Sequence, residues 1–131
     1  MTKFFSKYKI IFYSFNFFLI ILYLFPGSLL GLAIYNDKKI QPQITPDFII
    51  SSNHFYVFLL FSIISFFTFS KLEQNKSLII YLISLSIVLE LFHLVIPSRS
   101  FQWSDLFGNL SGIVIVIFIN NLINKYEIFK K

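Results

Sequence analysis

Four long apolar stretches, separated by short polar segments, dominate the chain at about 10–33, 54–70, 78–96 and 106–123. A helix that crosses the hydrocarbon core of a bilayer needs about 20 apolar residues, with a range of roughly 17–25. Each stretch is therefore long enough to span a membrane. Short loops make consecutive helices antiparallel neighbours. The pattern predicts an all-α fold in a single domain over residues 1–131, namely an integral membrane antiparallel four-helix bundle.

The first, second and fourth stretches each constrain the helix that they predict. Pro26 and Gly27 interrupt the first stretch and either kink the span or end a shorter helix there. This stretch is longer than the roughly 7–15 apolar residues of a signal-peptide core, so we expect an uncleaved span. The second and fourth stretches are short, so we expect their helices either to cross the membrane nearly upright or to have their ends buried against neighbouring helices.

The composition agrees with a membrane protein. The chain is 56% hydrophobic, whereas soluble domains average about 45–50% apolar. It has no cysteine, which excludes disulfides and thiolate chemistry. The net charge of +5 comes mainly from lysines that flank the apolar stretches rather than from a patch of the kind that binds nucleic acid. We therefore expect the chain to lie in the lipid bilayer and not to bind nucleic acid.

The basic residues predict the orientation in the membrane. Eight of the eleven Lys and Arg residues lie in the two termini and in the 71–77 loop. The abundance of Lys, Asn, Ile and Phe resembles that of proteins from AT-rich bacterial genomes, so we expect a multi-pass protein of the cell (inner) membrane. The positive-inside rule then places both termini in the cytoplasm. The 36–53 and 97–104 loops face outward. The longer of them is either a lid over the outer end of the helices or a plain connector.

Ionisable side chains lie near the outer ends of the third and fourth stretches. Glu90 and His93 are three residues apart, so they share one face of a helix. Asp105, Asn109 and Gly112 recur at i, i+4 and i+7 on the next helix. An ionisable group in hydrocarbon is costly unless it is paired or hydrated, so Glu90 marks a candidate functional site.

We expect these faces to meet in an outward-facing polar pocket. Arg99 lies in the loop between the two helices and can reach Asp105 or Glu90 in the fork geometry that a guanidinium favours. His54 enters the membrane from the same side and would form a third wall. Gly112 is assigned to close helix packing. The candidate ligand-binding residues are His54, Glu90, His93, Arg99, Asp105 and Asn109.

Each of these residues also has a purely structural explanation. A protonated Glu90 could hold two helices together by a hydrogen bond. Arg99 could extend to lipid headgroups, and Ser104 or Asp105 could cap the fourth helix. His54 lies at the boundary of its span, where a histidine needs no special function.

The sequence predicts no metal and no other cofactor. Glu90-x2-His93 is the element that di-iron carboxylate bundles use, but those bundles need two such elements and further glutamates. Together with His54, this chain would at best supply three metal ligands.

The spacing of the polar residues is similar to that of a known family. Glu90-x2-His93-x3-Pro97-x-Arg99-x5-Asp105-x3-Asn109-x2-Gly112 resembles the signature of VanZ-like membrane proteins, and His54-Phe55 resembles their earlier histidine–aromatic pair. The resemblance covers about residues 52–112. The chain departs from the family at His93, where glutamine is usual, and at Ile50 and Ser51, where Asp-Lys is common. The resemblance implies a small multi-pass membrane domain but no particular reaction, and we do not predict glycopeptide resistance.

Three functions follow as hypotheses. The first is binding of an anionic or lipid-linked envelope headgroup, with Arg99 gripping phosphate or carboxylate, Asn109 donating hydrogen bonds, and Glu90 and Asp105 orienting Arg99. The second is an enzyme on such a lipid, with Glu90 or His93 as general acid/base and Asp105 as partner. The third is a structural bundle that docks a partner protein. The sequence leaves the ligand, any reaction and a homodimer open.

Overall fold

The computed structural model describes residues 2–69 and 72–129, and these form five helices and no strand. The all-α fold class is therefore confirmed for this part of the chain. Ser70, the predicted end of the second span, and the predicted cytoplasmic residues Lys71, Lys130 and Lys131 lie outside the described residues. The helices are α1 (Thr2–Leu24), α2 (Leu29–Tyr35), α3 (Ser52–Thr68), α4 (Leu72–Phe92) and α5 (Trp103–Phe129).

Two to three of these helices are long and apolar enough to cross a membrane. α4 qualifies over Asn75–Phe92 and α5 over Trp103–Glu127, and the bent pair of α1 and α2 is a third if it counts as one span. α3 is apolar but has only 17 residues. At 1.5 Å per residue it is about 25 Å long, somewhat less than the ~30 Å of a typical hydrocarbon core.

The first apolar stretch, predicted as a span over 10–33 that Pro26 and Gly27 interrupt, forms two helices. α1 ends at Leu24, and α2 leaves at an angle of 87°. Pro26 cannot donate a backbone hydrogen bond, and Gly27 takes a φ of +98°, which favours glycine. Ser28 then caps α2, because its hydroxyl accepts a hydrogen bond from the Gly31 N–H at 2.9 Å. Of the two alternatives for Pro26 and Gly27, the end of a shorter helix is the one observed.

The long helices run antiparallel to their neighbours in sequence. Tyr23, near the end of α1, meets His54 at the start of α3, while Phe12 stacks on Phe61 further along α3. α3 contacts α1, α4 and α5, and its largest interface is with α5. This central position explains why α3 has the largest buried share of the described side chains.

Two glycines allow the backbones of α3 and α5 to touch. A Cβ at Gly112 would lie 2.7 Å from the Leu59 nitrogen, and a Cβ at Gly108 would lie 2.7 Å from the Ser51 oxygen. The close approach at Gly112 is of the kind predicted from the sequence. Gly108 was not singled out from the sequence, although Gly-x3-Gly is the spacing that brings helices into close contact in membranes.

The helix ends near the polar residues differ from those predicted. α4 ends at Phe92 rather than near residue 96, because the following residues form tighter turns, with Leu94 N–H on the Leu91 carbonyl and Val95 N–H on the Phe92 carbonyl, both at 3.1 Å. α5 begins at Trp103 and has 27 residues. The expectation of a short fourth span was wrong.

The 36–51 segment folds back over the helix ends instead of simply connecting α2 to α3. Asn53 holds it from both sides, since its Nδ2 donates to the Pro42 carbonyl at 2.6 Å and its Oδ1 accepts from the Ile44 N–H at 3.1 Å. Asp47 accepts a hydrogen bond from the Ser52 N–H at 2.8 Å, at the first turn of α3. The segment thus forms the lid that was one of the two alternatives.

Candidate functional site

Polar side chains gather inside the protein where α1 and α4 end and α3 and α5 begin. Glu90 and Asn109 are fully buried, and His93 is 1% exposed. Large apolar side chains, in contrast, are exposed on the surface of the helices, for example Phe18, Ile80 and Phe118 at 63–65%. A lipid environment favours this distribution, with polar side chains in the interior and apolar side chains on the surface. The cluster consists of Tyr23, His54, Glu90, His93, Asp105 and Asn109.

His54 is the centre of this cluster. Its Nδ1 lies 3.0 Å from the Tyr23 hydroxyl and 3.1 Å from Asn109 Oδ1. The Tyr23 hydroxyl itself donates to Asn109 Oδ1 at 2.6 Å. On the other edge of the ring, His54 Nε2 lies 3.5 Å from Asp105 Oδ2. One imidazole therefore connects α1, α3 and α5.

Glu90 is held on one oxygen only. Its Oε1 accepts from the Gln102 N–H at 3.1 Å and lies 3.2 Å from His93 Nδ1. Since Gln102 immediately precedes α5, the carboxylate also lies at the positive end of that helix. The other oxygen, Oε2, has no hydrogen-bond partner in the described part of the chain and points toward His54 Nδ1 at 4.0 Å.

His93 fixes Glu90 from the turn that follows α4. Its Nε2 lies 3.0 Å from the Tyr23 carbonyl oxygen. Because a carbonyl only accepts, Nε2 carries a hydrogen, and the contact between His93 Nδ1 and Glu90 Oε1 contains a further proton. The predicted common face of these two side chains is thus realised as a direct contact.

Arg99 does not pair with Asp105 or Glu90, contrary to the expectation from the sequence. Its Nε donates to the Phe25 carbonyl at 3.1 Å and its Nη2 to the Leu22 carbonyl at 2.9 Å. These carbonyls lack helical partners because Pro26 ends α1. Among the described residues, Arg99 forms no ion pair, and it instead caps the C-terminus of α1.

The charge on Arg99 survives its partial burial. Burial lowers the pKa of the Arg99 guanidinium below its usual value, while the neighbouring Tyr23, Asp105 and Glu90 act in the opposite direction. A guanidinium starts from a pKa above about 12, so it remains a cation at neutral pH.

Three cavities adjoin one another beside this cluster, and Arg99 lines all of them. A polar cavity of about 240 Å³ is also lined by His54, His93 and Asp105. A largely apolar one of about 210 Å³ includes Leu22, Leu29, Leu30, Ile44 and Val57. A third, of about 280 Å³, is basic and includes Lys38 and Lys39. The lid supplies Gln41 to all three cavities.

Some of the predicted ligand-binding residues lie elsewhere than in the expected pocket. His54, Glu90, His93, Asp105 and Asn109 form one cluster, whereas Arg99 lies on the cavity wall. Asn109 is buried against Tyr23 rather than lining a cavity, and its Nδ2 has no partner among the described residues. Ser104 and Asp105 do not precede α5 but lie in its first turn.

Sequence reasoning missed Tyr23, Gln102 and the side chains of Lys38 and Lys39 as parts of this region. Tyr23 is one of seven tyrosines in an aromatic-rich chain, so it carried no signal beyond its position just before Pro26. Gln102 contributes a backbone N–H, which no residue type reveals.

The potential metal ligands also differ from those considered. His54, Glu90 and Asp105 each offer one ligand atom, and these atoms lie within 4.8 Å of one another. Asp105 thus replaces His93 in the ligand set that the sequence suggests.

No family model matches this chain, and neither does a curated protein or a solved structure. The resemblance to VanZ-like proteins therefore stays a prediction.

Proposed function

We propose that this chain is a multi-pass protein of the bacterial inner membrane, of the VanZ-like type, whose outward-facing polar pocket binds the anionic headgroup of an envelope amphiphile. In this arrangement α1, α3, α4 and α5 each cross the membrane, and both termini lie in the cytoplasm. The short α3 is sheltered by the other three helices, which relieves the need for it to match the full hydrocarbon thickness.

The observation that carries the proposal is the position of Arg99 at the junction of a polar, an apolar and a basic cavity. A phosphate or carboxylate would contact Arg99 with Lys38 and Lys39, since charge-assisted hydrogen bonds to oxyanions are the strong ones. An attached acyl or prenyl chain would lie against the leucines of the apolar cavity. The junction suits an amphiphile better than a free ion.

The geometry changes the roles assigned to the carboxylates. The carbonyls of Leu22 and Phe25, rather than Glu90 and Asp105, orient Arg99. This leaves Asp105 in the polar cavity, where it would accept hydrogen bonds from hydroxyl or amide groups of a headgroup. Holding Arg99 in place before binding lowers the entropy cost of binding.

A second candidate function is catalysis on such a lipid. It is favoured by His54 and Asp105, which lie 3.5 Å apart and both line the polar cavity. A histidine next to a carboxylate can act as a general base near neutral pH. Glu90, a predicted general acid/base, is fully buried beneath this pair and is less well placed.

The test is to identify the lipids that copurify with the protein from its own membranes. We expect an anionic lipid with the wild type and with Lys125→Ala, which removes an exposed cation outside the cavities, but not with Arg99→Ala. Equal lipid content in Arg99→Ala would refute the binding proposal. Incubation with extracted envelope lipids separates the candidates, because only an enzyme changes a lipid and loses that turnover in His54→Gln.

A further inference from the structure

Three helices bring one metal-ligating side chain each to the floor of the polar cavity. His54 comes from α3, Glu90 from α4 and Asp105 from α5, with their ligand atoms within 4.8 Å of one another. We infer that these three side chains bind a divalent transition-metal cation. An imidazole nitrogen with two carboxylate oxygens is a ligand set that suits ions such as Zn²⁺ and Mn²⁺.

The strongest sign of a cation site is the Glu90 carboxylate oxygen that has no hydrogen-bond partner among the described residues. The Glu90 side chain is fully buried, and this oxygen is Oε2. Oε1 is already bonded to the Gln102 N–H and to His93, whereas Oε2 lies 4.0 Å from His54 Nδ1, beyond hydrogen-bond distance. A buried carboxylate oxygen in this state is costly unless a proton or a cation satisfies it.

The directions of the hydrogen bonds around His54 also favour a bound cation. The Tyr23 hydroxyl uses its only hydrogen on Asn109 Oδ1. His54 Nδ1 lies between these two oxygens and therefore carries the ring hydrogen. A neutral imidazole then presents the lone pair of Nε2 to Asp105 Oδ2 at 3.5 Å. Two facing acceptors repel each other unless a proton or a metal cation lies between them.

The distances are suitable for such a cation. Adjacent ligands of a tetrahedral zinc ion, with bonds near 2.0–2.1 Å, lie about 3.4 Å apart. The separation of His54 Nε2 and Asp105 Oδ2 is already close to this value. Glu90 would complete the set, because its ligand atom lies within 4.8 Å of those of His54 and Asp105.

Supporting contacts hold these ligands in place, as they do in most metal sites. Tyr23 and Asn109 fix the tautomer of His54, while His93 fixes the rotamer of Glu90. His54 and Asp105 line the polar cavity, which gives the ion a route of entry. Three protein ligands leave a coordination position open to water or to an oxygen of a headgroup. The inference does not rest on the proposed function.

The experiment uses the full chain, purified in an uncharged detergent and treated with EDTA, with MnCl₂ as the probe. We expect saturable binding of one Mn²⁺ per chain, measured by electron paramagnetic resonance of the free ion, and displacement by ZnCl₂. Electron spin echo modulation of the bound ion should show coupling to an imidazole nitrogen. Asp105→Asn and His54→Gln should weaken binding by more than about tenfold.

Asp47→Asn is the matched control, because it removes a carboxylate that lines the same cavity without being a ligand. It should bind Mn²⁺ like the wild type. The inference is overturned if the wild type binds no Mn²⁺, if the bound ion shows no nitrogen coupling, or if His54→Gln binds equally well. The nitrogen coupling is measured on the wild-type protein, so its absence overturns the inference even if the variants fail to fold.

Discussion

Arg99 Nη2 donates a hydrogen bond to the carbonyl of Leu22 at 2.9 Å, across 77 positions of the chain. This contact joins the loop before α5 to the end of α1. It makes one cation both a cap for a broken helix and a wall of three cavities.

Arg99→Ala should lower the stability of the protein as well as its affinity for anions. Two hydrogen bonds from a charged donor are lost, and the freed α1 carbonyls keep no partner, so we expect a cost of about 2 kcal/mol. Arg99→Lys should recover part of this, because an ammonium can still donate to one carbonyl. Thermal unfolding in detergent measures both. An unchanged melting temperature for Arg99→Ala would show that the cap contributes nothing.

Gly112→Ala should loosen the contact between α3 and α5. The added methyl carbon would lie 2.7 Å from both the Leu59 nitrogen and the Phe55 oxygen, which are backbone atoms that cannot rotate away. Forcing a methyl group into such a contact costs typically 1–3 kcal/mol, that is ~2 kcal/mol here. Val114→Ala, at a residue that is 57% exposed, is the control and should be nearly neutral. Unfolding curves of the two variants that coincide would argue against this helix contact.

Tyr23→Phe tests the three mutual polar contacts of Tyr23, His54 and Asn109, and it leaves the packing of the ring unchanged. It removes the hydroxyl that contacts both Asn109 and His54. Because the buried Asn109 oxygen loses a donor, we expect a destabilisation of ~1–3 kcal/mol in thermal unfolding. Tyr35→Phe removes a hydroxyl from an exposed residue and should have no effect. Equal stability of Tyr23→Phe and wild type would mean that these contacts are not formed.

The orientation can be tested with single cysteines, since the chain has none of its own. In intact cells, a membrane-impermeant maleimide should label Gln43→Cys in the lid. It should reach Lys76→Cys only after the cells are permeabilised, because the positive-inside rule places that end in the cytoplasm. Labelling of Lys76→Cys in intact cells, with Gln43→Cys protected, would contradict the proposed topology and indicate the opposite orientation.

The apolar pattern was sufficient to predict the helical class and the approximate position of each long helix. The hydrogen bonds of a helix join residues that are close in sequence, so a long apolar run is a direct signal of a membrane-spanning helix. The break at Pro26 was also visible, although only as one of two alternatives. The end of α4 at Phe92 was not, because turns with hydrogen bonds three residues apart use the same residue types as the helix.

Side-chain partners were harder to predict than helices. The contact between Glu90 and His93 follows from their spacing on one helix, and it is observed. The partner of Arg99 depends on where α1 ends, which is a distant event that the local sequence around Arg99 does not encode. The contact at Gly108 is predictable in principle from its spacing to Gly112.

Binding of dodecyl phosphate to the full chain in an uncharged detergent, measured by isothermal titration calorimetry, tests the central claim most directly. We predict saturable binding that weakens by about tenfold or more in Lys38→Ala/Lys39→Ala and in Arg99→Ala, because each loses a cation at the cavity junction. Lys125→Ala should bind like the wild type. Equal affinity in all four proteins, or no binding to any, would contradict the account.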